Sequence, residues 1–387
     1  MKKLKAVLAV LTAGMMMLTL SAVPASAEAA AKPVLQFNDD GKFTVMQIAD
    51  MQDMTIPVRA MLVLMERAFA EIKPDLVVFS GDNISQPVGF LATASLEQAL
   101  APVAAAGIPY AYTFGNHDAE DNYSKDKHHA VYMNNGICMT YNADPAINGF
   151  GNCNLPILSS DGLDTAFNFW IIDSGMYHDD GGYDIVHPDQ IEWYKNASDK
   201  LTADAGHKVP SIAFQHIIVP EIFDYLKQAP GKEDGTKFHD GHNAYFYNEF
   251  IDTAVLAPGA ALNEFPCPPN FNTGELAAMA AQGDVLAIAT GHDHVNSFIL
   301  TTNEGIDLIQ TPGISYTSYG DDSVRGFRTI TIDESDTSTY DTETYLYSDF
   351  LSADEIKTLS KRSFMDILNS IIFTIKSMFL NSIFFAK

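Results

Sequence analysis

The chain has 387 residues, 47% of them hydrophobic, which suffices for one large α/β domain with insertions or two smaller ones. Against 23 Lys and Arg stand 49 Asp and Glu, a formal net charge of −26, so the surface repels nucleic acid and excludes it as a stable partner. An anionic substrate must then be drawn in by a local positive centre, and with only Cys138, Cys153 and Cys267 the fold rests on its core rather than on cross-links.

Lys2, Lys3 and Lys5, an apolar run from Ala6 to about Leu20, and Ala25-Ser26-Ala27 read as a secretory signal over residues 1–27. Removal after Ala27 leaves a mature protein that is secreted, and more acidic still. Val34–Phe37 and Phe43–Ala49 flank the turn Asn38-Asp39-Asp40-Gly41, which predicts a hairpin. Helical spacing runs from Val58 to Ile72 and stops before Pro74. A strand at Leu76–Ser80, a helix from about Ser95 to Ala106 and a strand at Ile108–Phe114 complete a β-α-β-α-β series, whose default is a parallel sheet.

Residues 119–163 are polar and rich in Asn and Gly, so a surface region over the site is expected, with one helical piece near Lys125–Asn134. A strand at Ala166–Asp173, a helix from His187 to about Leu201 and a strand at Ile212–Gln215 follow. Residues 219–271 hold Pro220, Pro230, Pro258, Pro266, Pro268 and Pro269, the mark of a lid or specificity loop. After a helix from Thr273 to Gln282 and a strand at Val285–Thr290, an antiparallel finish is predicted at Ser297–Thr302, Asp307–Gln310, Gly326–Ile332 and Tyr340–Tyr347. The main domain thus spans 33–347, and 352–387 forms an amphipathic helical tail. From Phe364 onward the polar residues trace a narrow stripe, so the helix must bury a wide face in a membrane interface, on the domain or against another chain.

Five apolar runs end in metal-capable side chains: Asp50, then Gly81-Asp82-Asn83, Gly115-Asn116-His117-Asp118, His216, and Gly291-His292-Asp293-His294. Strands of an α/β sheet deliver chemistry at their carboxyl ends, so these blocks converge on one edge. Asp50, Asp82, Asn116, His216, His292 and His294 offer carboxylate, amide and imidazole ligands, the mixed set of Mn, Fe or Zn rather than Ca. Asp82, at the tip of the second strand, is placed to bridge two divalent or trivalent transition metal ions. Such a pair lowers the pKa of a bridging water and clamps both oxygens of an in-line displacement on a small phosphorylated substrate. His117 is suited to protonate the leaving group as general acid, with Asp118 orienting its ring.

Together the blocks Asp50-x-Gln52, Gly81-Asp82-Asn83, Gly115-Asn116-His117-Asp118, Gln215-His216 and Gly291-His292-Asp293-His294 resemble the five signature blocks of the calcineurin-like metallophosphoesterases. Gly149-Phe150-Gly151-Asn152 and His294-Val295-Asn296 make the chain most similar to the single-domain purple-acid-phosphatase-like branch that includes the yeast Dcr2-type phosphatases. The resemblance implies a four-layer α/β/β/α sandwich. It assigns Asp50, Asp82 and His294 to a first metal, and Asp82, Asn116, His216 and His292 to a second. It implies a phosphomonoesterase using a metal-bridging hydroxide, with phosphodiester hydrolysis and an impaired phosphate-binding relative as rivals. Gln52 stands where the family has His, a harder and weaker ligand if it ligates at all. Ser85 falls near the metal-binding Tyr of the purple enzymes, so no tyrosinate ligand is expected.

Overall fold

In chain order the elements are β1 (Lys42–Ile48), α1 (Arg59–Ile72), β2 (Leu76–Ser80), α2 (Gly89–Ala106), β3 (Pro109–Thr113), α3 (Lys125–Asn134) and β4 (Ile137–Cys138). Then come β5 (Cys153–Leu158), β6 (Thr165–Ile171), α4 (Pro188–Ala205), β7 (Ser211–Phe214), α5 (Ile222–Tyr225), β8 (Lys227–Gln228), β9 (Ile251–Asp252) and β10 (Ala261–Leu262). The chain closes with α6 (Glu275–Gln282), β11 (Val285–Thr290), β12 (Asn296–Thr301), β13 (Asp307–Gln310), β14 (Gly326–Asp333), β15 (Asp341–Leu346), α7 (Tyr347–Phe350), α8 (Ala353–Leu359) and α9 (Phe364–Phe384). The structure is a computed structural model, and it describes residues 32–85, 88–120, 123–228 and 251–384. The predicted signal and the Pro230 end of the predicted lid lie outside the described residues.

Two sheets carry the fold, one in the order β15-β14-β1-β2-β3-β4 and the other β10-β12-β13-β11-β7-β6-β5. Both are apolar on their two faces, as sheets covered on both sides must be. Val45, Val78, Ala111 and Ile330 of the first sheet meet Ile157, Phe169, Phe214, Ala287 and Ile309 of the second in a fully buried middle layer. On the outer face of the first sheet, Met46, Phe79 and Tyr112 pack under Leu64 of α1, Leu100 of α2 and Tyr132 of α3. On the outer face of the second, Trp170, Ala213 and Ile288 pack under Tyr194 of α4 and Met279 of α6. Helix, sheet, sheet, helix is the expected four-layer sandwich, and it gathers the carboxyl ends of β1, β2, β3, β7 and β11 at one edge.

The parallel pairings β1·β2 and β2·β3 follow from the predicted β-α-β-α-β series, whereas the parallel pairing β3·β4 is not expected from it. Several local expectations fail for identifiable reasons. Leu35–Phe37 turns at Asn38 but forms no hairpin with β1; Phe37 N donates to Leu158 O and Leu158 N to Leu35 O, so the segment runs beside β5 of the other sheet. Turn residues fix the reversal, yet not which neighbour the preceding run pairs with. The region 119–163 is more than a surface covering, since β4 and β5 each supply a sheet's edge strand. The antiparallel finish is divided: β12 and β13 form a hairpin in the second sheet, while β14 pairs antiparallel with β1 and β15 in the first. Beyond β15, Phe350 and Leu351 are buried with α1, and Ile356 and Leu359 pack on the same cluster. Cys138 and Cys153 are buried and Cys267 is half-buried, and none of the three is joined in a disulfide.

Candidate metal centre

Each site residue sits immediately past a strand, where the backbone leaves the sheet ladder and turns sharply. Asp50, Gln52, Asp82 and His292 all adopt positive φ, at 53°, 39°, 49° and 79°, a conformation uncommon for residues with a Cβ. The strain is held in place by close backbone packing. A Cβ on Gly81, itself at φ 95°, would fall 2.5 Å from His216 Nδ1, and one on Gly115 would fall 2.2 Å from Asp82 Oδ1. Those glycines let three strand ends approach closely enough for their side chains to share a centre.

Two groups of buried ligand atoms result, each within 4.8 Å of one another: Asp82, His216 and His292, and Asp50, Asp82 and His294. Asp82 belongs to both. Its Oδ2 lies 3.4 Å from His216 Nε2, and Asp50 Oδ1 lies 3.6 Å from His294 Nε2. His216 Nδ1 donates to Ser80 O at 2.9 Å and His294 Nδ1 to Tyr319 O at 2.9 Å, so Nδ1 keeps its proton in both rings and Nε2 is the nitrogen turned toward the centre. Asn116 Nδ2 donates to Tyr177 Oη at 3.1 Å, leaving Asn116 Oδ1 3.2 Å from His216 Nε2. Asp50 Oδ1 and His292 Nε2 are buried with no hydrogen-bond partner. Orphaned acceptors of this kind beside oriented imidazoles fit a pair of borderline cations.

Gln52 is also here, with Nε2 donating to Asp82 Oδ2 at 2.9 Å. It therefore faces the shared carboxylate, and a half-turn of its amide would present oxygen in place of nitrogen. His117 stands at the mouth, its Nε2 3.9 Å from Asp82 Oδ2, and its backbone N–H donates to Asp82 Oδ1 at 2.8 Å.

Asp118 does not orient His117, as the sequence reading had it. The His117 Nδ1–H donates to Glu120 Oε2 at 2.8 Å, and Tyr177 Oη donates to Glu120 Oε1 at 2.7 Å. Asp118 turns inward to accept from Gly115 N at 2.8 Å, Asn83 N at 2.9 Å and Ile84 N at 3.1 Å, tying the loop after β3 to the loop after β2. Adjacency in sequence favoured Asp118; the turn points its carboxylate to the interior and leaves the residue three positions after His117 beside the ring.

The cleft has a volume of about 200 Å³ and is lined by Gln52, His117, Tyr183, Cys267, Ser318 and Tyr319 beside the metal-capable groups. Tyr319 stacks on His294 with ring centroids 4.1 Å apart, and Tyr183 meets His292 edge-on at 4.2 Å. Sequence reasoning singled out neither Tyr183 nor Glu120, which lie in a region without periodicity. Nor did it give Cys267 a place in the site, whereas the structure puts that residue on the cleft wall. Of the remaining histidines, His187 N-caps α4, while His239 and His242 lie outside the described residues.

Electrostatically, burial raises the Asp82 carboxyl, but the His216 imidazole outweighs it and holds the group well below the usual range. Burial disfavours charged His216, yet Asp82 wins there too and lifts it to about 10. His292, buried and beside His216, is depressed well below the ordinary imidazole value and stays neutral. Without metal the centre therefore holds a proton on His216 that an incoming cation must displace. Below about pH 10, metal affinity should rise by up to about tenfold per pH unit for that one proton. Metal titrations at about pH 6 and pH 8 with calorimetry in two buffers check the slope and the proton release.

A carboxylate shared between two such ligand groups, at the carboxyl edge of two stacked sheets, defines a candidate binuclear metal centre. The pattern that defines the calcineurin-like phosphoesterase family matches residues 43–296, and the chain belongs to that family. It is similar to probable inactive purple acid phosphatase 29 of Arabidopsis thaliana, with 29% identity over 344 residues, 79% of this chain and 80% of that protein. It is similar to phosphatase DCR2 of Saccharomyces cerevisiae, with 25% identity over 312 residues, 74% of this chain and 49% of that one. Among solved structures, a dimetal phosphatase from Danio rerio aligns at 14% identity with a TM-score of 0.48, covering 79% of this chain and 99% of that one.

Proposed function

We propose that the protein is a secreted phosphoesterase that acts on phosphomonoesters with two transition metal ions. The observation that carries this reading is Asp82, whose one carboxylate belongs to two ligand groups at once. Asp50, Asp82 and His294 would hold one ion, and Asp82, Asn116, His216 and His292 the other. Bound there, the pair supplies Lewis acidity to a phosphoryl oxygen and lowers the pKa of water at the centre.

The chain's own residues do the rest. His117, half-buried and beside Asp82, delivers a proton to the departing oxygen from its Nε2. Glu120 holds the other ring nitrogen. Burial lowers the His117 pKa, but Asp82 and Glu120 outweigh it and raise the pKa above the usual value, so the ring keeps its proton to higher pH than a free imidazole does. Tyr183 and Tyr319 wall the cleft, whose small volume suits one phosphoryl group with its leaving group directed past His117. Hydrolysis of a chromogenic phosphomonoester with Mn or Fe supplied tests the proposal, with a phosphodiester run alongside; near-zero turnover of both would overturn it, and faster diester turnover would reassign the substrate.

A second reading, a phosphate-binding relative without turnover, is favoured by Gln52 bonding to the shared carboxylate and by the word inactive in the name of a plant relative. Metal analysis separates the two: about two ions per chain supports the enzyme, one or none the binder. Gln52→His should raise affinity at the Asp50–His294 group by about tenfold or more, since imidazole is the softer ligand. A metal titration reads this directly, and an unchanged affinity would mean that position 52 does not face that ion.

A further inference from the structure

The C-terminal helix α9 is docked the wrong way round for water. Ser370, Thr374 and Ser377, the polar stripe, are only 6%, 8% and 5% exposed, and α9 lies against α2. Its apolar residues point outward: Phe364 is 76% exposed, Met365 56%, Ile371 48% and Met378 46%. At 3.6 residues per turn, Met378, Ile371, Phe364, Ile375, Leu368, Ile372 and Met365 occupy one continuous arc of about 140°. An apolar face of this breadth on a solvent-facing helix marks a contact surface.

We infer that α9 is the protein's docking surface for an anionic lipid bilayer, lying in the interface with its apolar arc inserted. Charge selects this occupant. The chain as a whole carries −26, yet from Lys357 onward Lys357, Lys361, Arg362, Lys376 and Lys387 stand against a single acid, Asp366. Lys361, Arg362 and Lys376 are exposed. Lys376 falls at the border of the apolar arc, where a lysine reaches the headgroups with its stem along the apolar surface. The acidic body is repelled by an anionic membrane, so the local reversal of sign fixes which side approaches.

A second copy of the helix would use the column Phe364, Leu368, Ile371, Ile375 and Met378, which has coiled-coil spacing. In such a pairing the flanking positions carry charges that set the partner. Here one flank is Met365 and Ile372, both exposed and apolar, so a pairing along the column leaves them in water. A bilayer covers the whole arc.

The test uses the full chain carrying Ile372→Trp, an exposed position where a larger ring meets no core. Mixed with vesicles of phosphatidylcholine and phosphatidylglycerol, its emission should move to shorter wavelength and be quenched by brominated lipid. With phosphatidylcholine alone, or at high salt, the shift should fall by half or more, and adding Leu368→Glu and Ile375→Glu should remove it while metal content stays unchanged. Because the reporter sits on α9, the apolar N-terminal segment does not produce the signal. No shift with anionic vesicles overturns the proposal, as does a shift that appears without lipid on raising the protein concentration, which would assign the face to a second copy.

Discussion

Asp82→Asn is expected to empty both ligand groups at once and to lower phosphomonoester hydrolysis by more than about a hundredfold, beyond the loss typical of a residue that only orients a ligand. The side chain is fully buried, and its two oxygens have separate duties: Oδ1 accepts the His117 N–H at 2.8 Å, while Oδ2 faces His216 and Gln52. Asparagine keeps the shape and one acceptor, so the loop after β3 stays in place; what disappears is the negative charge that two cations would share. Asp50→Asn is the comparison, because Asp50 belongs to one group alone. Metal analysis should give about two ions for the parent chain, one for Asp50→Asn and none for Asp82→Asn. Two ions retained by Asp82→Asn would end the account of a shared carboxylate.

His117→Gln should leave both ions in place and reduce kcat by about 10²–10⁴-fold, the range for a positioned proton donor. The contact that anchors this loop to Asp82 comes from the backbone N–H of residue 117, so it survives the substitution. The imidazole is lost, along with its hydrogen bond to Glu120. Its absence should be felt unequally. A nitrophenolate departs without needing a proton, whereas an alkoxide does not, so the defect should be several-fold larger on alkyl phosphates than on the chromogenic ester. Equal defects on both would mean that His117 binds the phosphoryl group rather than protonating the leaving oxygen.

The strands and their sequence of endings were legible because a buried parallel strand leaves a short apolar run, and a ligand at its tip interrupts that run abruptly. Asp50, Asp82, Asn116, His216, His292 and His294 could therefore be gathered at one edge from the amino-acid sequence alone. The partner of His117 was not legible. Asp118 and Glu120 are both acids within three residues of it, and only the path of the turn decides which one faces inward. Nor was the placement of β4 and β5, since a two-residue strand is too short to show a period, and in β5 Pro156 disguises the alternation of Cys153, Leu155 and Ile157. The tail shows the same limit from the other side: spacing revealed its polar stripe, but a stripe does not say which way it faces.

Half of the ligands stand on each sheet. Asp50, Asp82 and Asn116 follow β1, β2 and β3, whereas His216, His292 and His294 follow β7 and β11 of the opposing layer. At that rim the layers are joined by the short bridge of Ala49 with Gly313 and by side-chain hydrogen bonds such as Gln47 to Thr290 O; ions seated there would rivet them further, so demetallation would loosen the seam as well as silence the chemistry. A chain that had given up catalysis would still have a mechanical reason to keep its ligands.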